Sequence, residues 1–166
     1  MNDFFGTLYK DLVKRLKEKA TDIRFIETDL GQLDYDLRPG LAYPACLIDF
    51  PMTTYSNLGG NRQEGEVTIM LKLCFAVFSA SSGNAPEEVK DKALACYAAE
   101  QQVAEALHGW HPDYCTPLTR TSATTLERYN ETGMRVRCLT FAAAFQDLSM
   151  SPVYVKKRVG AAIVNG

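Results

Sequence analysis

The stretch from Glu66 to Phe78 constrains the fold more than any other, because Val67, Ile69, Leu71, Leu73, Phe75 and Val77 occupy every second position. Side chains alternate across a β-strand, so this spacing puts six apolar groups on one face. Thr68, Met70, Lys72, Cys74, Ala76 and Phe78 fall on the other face. The pattern predicts a central strand with one fully apolar side and one mixed side. At roughly 3.3 Å per residue the segment spans about 43 Å, far beyond the usual five or six residues. Such a strand is expected to overhang its sheet and to seek partners there.

The apolar side needs a cover, and two amphipathic segments can supply it. In residues 3–20, Phe5, Leu8, Leu12, Leu16 and Ala20 recur at three- and four-residue steps, with Asn2 or Asp3 placed to cap the first turn. A second helix is expected to start at Pro86, in its first turn, followed by Glu87 and Glu88 at the positive end of the helix dipole. Its stripe runs through Val89, Ala93, Cys96, Ala99 or Glu100, Val103 and Leu107, and Gly109 is the stop. Arg24–Thr28 and Tyr43–Phe50 read as further strands, the latter closed by Pro51. The Gly/Asn-rich segment 51–65 reads as a long, mobile hairpin connection. Leu118–Arg128 and Met134–Gln146 pair as a closing hairpin around Asn130 and Gly133.

The element order is therefore α-β-β-β-α-β-β, an α+β two-layer sandwich with both helices on one face of a mostly antiparallel sheet. Residues 1–148 make one domain. Residues 149–166 stand apart, with Lys156, Lys157 and Arg158 but no acid, and read as an arm or edge strand. With 166 residues, 46% of them hydrophobic, the chain can form a core without disulfide or metal. A formal net charge of −2 argues against a dedicated nucleic-acid binder. The first segment has no apolar run of signal-peptide type, and five scattered cysteines without a CxxC pair suit a reducing cytosol.

Catalytic signatures are missing: no GxSxG, no phosphate-cradling glycine loop, and only two histidines. The chain is read as a non-enzyme without cofactor. His108, His111, Asp113 and Cys115 lie close together and are of zinc-ligand type. Their spacing matches no standard ligand pair, and a polar loop after the helix is the default reading. A small metal-binding protein or enzyme using this loop is the alternative.

Several local features together carry a resemblance. They are an N-terminal helix leading to Tyr43-Pro44-Ala45-Cys46-Leu47-Ile48, and a long strand from Gln63 to Leu71 after a Gly/Asn-rich connection. With these go an alanine-rich helix ending Ala106-Leu107-His108-Gly109, and a closing strand from Val136 to Phe145. Over residues 3–147 the chain resembles the tail-terminator or tail-completion proteins of long-tailed bacteriophages, the group that includes minor tail protein U. The resemblance implies a sixfold homo-oligomeric ring in the virion tail, assembled in host cytoplasm. Such a ring stops growth of the tail tube and joins the head-side connector, with DNA only passing through and no membrane involved. Strand addition and closed head-to-tail contacts suit such a ring. The candidates for self-assembly contacts are then Asn57, Gly60, Arg62, Glu66, Lys72, Lys156, Lys157 and Arg158. Another tail or baseplate adaptor of the same fold is a further alternative.

Overall fold

The structure, a computed structural model, describes residues 3–34, 41–76 and 83–152. Val77, Phe78, the Arg38-Pro39-Gly40 turn and the arm cations Lys156, Lys157 and Arg158 lie outside the described residues.

The element order is the expected one: α1 (Phe4–Lys19), β1 (Phe25–Thr28), β2 (Ala45–Gly59), β3 (Arg62–Ala76), α2 (Glu87–Leu107), β4 (Thr119–Thr125) and β5 (Met134–Asp147). The five strands form one sheet in the order β1-β2-β3-β5-β4. Only the β1–β2 pair is parallel. Both helices pack on one face, where Leu8, Leu12 and Leu16 of α1 and Val103 and Leu107 of α2 meet Val67, Ile69, Leu71, Leu73, Leu139 and Phe141. Each of these side chains is almost fully buried. The opposite face holds a smaller cluster of Leu33, Leu47, Cys74, Tyr129, Met134 and Val136. Here the mixed side of β3 finds its apolar neighbours at only one end.

Local chemistry explains the helix limits. The Asp3 carboxylate accepts the Gly6 N–H at 2.9 Å and so satisfies one free amide of α1. Pro86 sits at the N-cap, one residue before the first turn where it was expected. Gly109, at φ +77°, takes the left-handed conformation that ends α2. The apolar stripe of α2 is buried only from Ala99 onward; Val89, Ala93 and Cys96 are half-buried, and Leu94 and Tyr97 are exposed. The helix meets the sheet along its second half. There Glu100 and Arg137 form a two-pronged ion pair, with Nε–Oε2 at 2.6 Å and Nη2–Oε1 at 2.9 Å. The third prong of Arg137 donates to Thr125 Oγ1 at 3.0 Å.

Segment 51–65 is not a loop. β2 runs on through Pro51 to Gly59 and pairs with β3 as far as Arg62. Gly60 and Asn61 form a two-residue turn, both with positive φ, as a tight hairpin of type I′ geometry requires. Pro51 is tolerated for two reasons. β1 ends at the partner of Ile48, so one side of β2 is unpaired there, and the residue lies in a bulge between Asp49 and Met52.

β3 does not overhang its neighbours either. β2 and β5 are nearly as long and flank it along almost its whole length. The three strands together project past the short β1 and β4, so the overhang belongs to a three-stranded unit.

Candidate assembly surface

The projecting part of the sheet is built on the bulge. Before it, Cys46 and Ile48 point to the helical face; after it, the odd-numbered Thr53, Tyr55 and Asn57 stand opposite Val67, Gly65 and Gln63. One extra residue thus exchanges the two faces of the strand, and brings Tyr55 over Gly65 onto the Phe145 ring, edge to face with centroids 6.2 Å apart. A Cβ on Gly65 would lie 2.6 Å from that ring. Phe145 in turn stacks on Phe4, centroids 3.6 Å apart and planes 11° from parallel. The root of the hairpin is therefore anchored by aromatic packing to the first turn of α1.

Beyond this anchor the hairpin is exposed on both sides. Met52, Tyr55 and Leu58 are exposed apolar groups, 59%, 46% and 43% accessible. The outer edge of β2 from Phe50 to Gly59 has no partner strand among the described residues. An unpaired edge with its N–H and C=O groups free is a template for another strand. The face away from the helices carries Met52, Thr54 and Ser56 opposite Thr68, Glu66 and Glu64, followed by Ala142, Ala144 and Gln146 on β5. It is a flat surface of small and acidic groups, half-buried to exposed.

The sequence candidates divide on this geometry. Asn57, Gly60 and Arg62 cluster at the exposed hairpin tip. There Asn57 Oδ1 accepts the Gly59 N–H at 2.8 Å, and Arg62 Nε–H donates to the Gly59 carbonyl at 3.2 Å. Glu66 is exposed on the flat face, but its backbone is paired on both sides. Addition of a strand to residues 66–78 is thereby closed along the described part of β3, and the free edge belongs to β2. Lys72 lies away from the hairpin tip, opposite Leu47 of β2. Its side chain is 15% exposed, and its ammonium pairs with Asp29 on the smaller apolar face. Burial pulls the Lys72 pKa down, but the hydrogen bond and charge of Asp29 outweigh it, leaving the group above the ordinary lysine value.

The histidine loop is held by its own backbone. His108 Nδ1 accepts the Arg120 N–H at 3.1 Å, which ties the end of α2 to β4. His111 and Asp113 are exposed, while Cys115 is buried, and burial lifts its thiol to about 11. Among the described residues no three His, Cys, Asp or Glu side chains are grouped to hold a metal ion. Sequence reasoning passed over the Glu100–Arg137 pair. The alternative of Ala99 or Glu100 on the α2 stripe was its only signal, since a carboxylate on an apolar stripe asks for a buried partner. No described helix is long and apolar enough to cross a membrane.

No family model and no curated protein matches the chain. Among solved structures it is similar to a chain in the virion of a native gene transfer agent particle. The TM-score is 0.53 at 14% identity, covering 84% of this chain and 95% of that one. At that identity the likeness is one of fold.

Proposed function

We propose that this chain is a non-enzymatic virion assembly protein of phage type. It forms a homo-oligomeric ring at the end of the tail tube, stops tube growth there and offers a surface to the head-side connector. The observation that carries the reading is the fold shared with a gene transfer agent virion chain, spanning nearly all of that chain. The edge of β2 that has no partner strand among the described residues, with the exposed Met52, Tyr55 and Leu58, gives it a physical route. A ring requires one surface of each copy to meet a different surface of the next, and a projecting hairpin provides such a heterologous contact. The flat face with Glu64 and Glu66, and the net charge of −2, suit a lumen that lets DNA pass without binding it.

Native mass spectrometry across a concentration series, with and without the tube protein of the same genome, tests the reading directly. A closed ring, free or on tube ends, is the expected species. The Met52→Lys/Leu58→Lys double variant alters only exposed side chains, so it should fold normally and lose the ring. A wild-type chain that stays monomeric and leaves tube length unchanged would overturn the proposal.

A further inference from the structure

A projecting hairpin needs a receiving surface, and the far end of the same three strands carries one. A groove of about 750 Å³ opens there between the first half of α2, the residues leading into β2 and the ends of the long strands. Pro44, Leu94 and Tyr97 line it, and Leu94 and Tyr97 are each 46% exposed. Tyr97 is held in place: its hydroxyl accepts Arg135 Nη2–H at 3.1 Å, and the Arg137 guanidinium lies over its ring. Arg24, Lys92 and Arg135 bring three cations to the groove. The one carboxylate among the lining residues, that of Asp22, already accepts from Gln102 Nε2 at 2.9 Å. None of the three cations is in an ion pair among the described residues. Exposed apolar groups beside unpaired cations fit an apolar segment that carries carboxylates.

The hairpin tip is such a segment. Leu58 stands exposed at its end, and Glu64 and Glu66 follow the turn, exposed and without an ion pair among the described residues. Arg62, the cation of the tip, donates its Nε–H to the Gly59 carbonyl of its own hairpin. The two surfaces cannot meet within one chain. The tip lies where Gly59 pairs with Arg62, and the groove where Phe75 pairs with Arg135. From Arg62 to Phe75, β3 rises about 43 Å at roughly 3.3 Å per residue. Flanked by β2 and β5 along that length, it cannot fold back on itself. A contact between opposite ends of identical chains is heterologous, the kind that builds a ring when its rotation closes.

We propose that this groove receives the hairpin tip of a second copy, with Leu58 against Leu94 and Tyr97 and with Glu64 among Arg24, Lys92 and Arg135. The inference rests on the ring reading above and supplies the receiving half of each contact.

Native mass spectrometry of two variants, apart and mixed, tests it. Arg24→Glu/Lys92→Glu changes two exposed groove side chains, and circular dichroism should show an unaltered fold. Alone it should stay monomeric, as should the hairpin variant Met52→Lys/Leu58→Lys. Mixed in equal amounts, the two retain one intact tip and one intact groove between them. They should give a heterodimer of twice the chain mass and nothing larger. Glu64→Lys added to the groove variant exchanges the charges across the contact and should restore the ring. A groove variant that forms rings like the unmodified chain would overturn this assignment and leave the ring reading standing. Loss of the ring with neither heterodimer nor rescue would overturn it as well. An unmodified chain that forms no ring, even with the tube protein, would overturn both. A labelled single-stranded oligonucleotide bound by the unmodified chain and released by the groove variant would make nucleic acid the occupant, against the proposal.

Discussion

Replacing Glu100 by alanine should cost this protein about 3 kcal/mol, and most of that cost should vanish when Arg137 is replaced as well. The side chains of Arg137 and Glu100 are only 16% and 11% exposed. Removing one partner strands a guanidinium that has given up its water. Breaking a buried pair typically costs ~3–5 kcal/mol, and the lower end applies here because Arg137 keeps its bond to Thr125 and a fraction of its hydration. Urea unfolding followed by circular dichroism reads this as a shift in midpoint. With a slope of ~2 kcal/mol per molar, typical of small proteins, the loss is about 1.5 M. The Glu100→Leu/Arg137→Met double variant leaves no stranded charge and should return to within about 1 kcal/mol of the original, since apolar replacements of buried pairs are often neutral. Glu100→Gln, which keeps the shape and one acceptor, should fall between. A Glu100→Ala loss below about 1 kcal/mol, or a double variant as unstable as the sum of its singles, would refute the argument. It would mean that α2 is held by its apolar contacts alone.

Two further outcomes follow from close packing and from burial. Gly65→Ala should destabilise by ~1–3 kcal/mol even though alanine favours an extended chain over glycine, because the Phe145 ring cannot move without leaving Phe4. Thermal melting should drop accordingly and recover in Gly65→Ala/Phe145→Leu; a raised melting temperature would contradict the packing account. Burial raises the thiols of Cys74 and Cys115 to about 12 and about 11, above the ordinary 9.0. A folded-state pKa above the unfolded one contributes stability that is fully present below pH 9 and is lost as pH rises through 11 to 12. Urea midpoints should therefore be level from pH 7 to 8.5 and fall above pH 9, and a Cys115→Ala variant should fall less steeply.

The core of the fold was legible because its elements bury one face and expose another. The α1 stripe and the alternation of 67–75 survive in the amino-acid order, and both faces are where that order put them. Segment 51–65 reads as a mobile hairpin connection because the signal for a strand is alternation, and a strand wet on both sides has no need of it. Pro51 and the glycines reinforced that reading, although each has a place in a bulge or a turn. The first half of the α2 stripe was over-read for the converse reason: Val89 and Ala93 keep the helical spacing where the helix has already left the sheet. The free edge of β2 was not legible at all, because it depends on where β1 stops pairing, and a pairing boundary leaves no mark in either strand alone.

The single residue added at the bulge sets the phase of β2 as far as Asn57, where a second register shift precedes the turn. Tyr55 reaches Phe145 only because the strand has been shifted by one place between Asp49 and Met52. Removing that residue would leave both strands intact and turn this stretch inside out, exchanging Thr53, Tyr55 and Asn57 with Thr54 and Ser56. The hairpin can therefore change length across relatives in steps of two residues on each strand, while steps of one invert what it presents to a partner. An alignment of such chains should show even-numbered gaps on the tip side of the bulge, and an odd gap there should coincide with a changed binding partner.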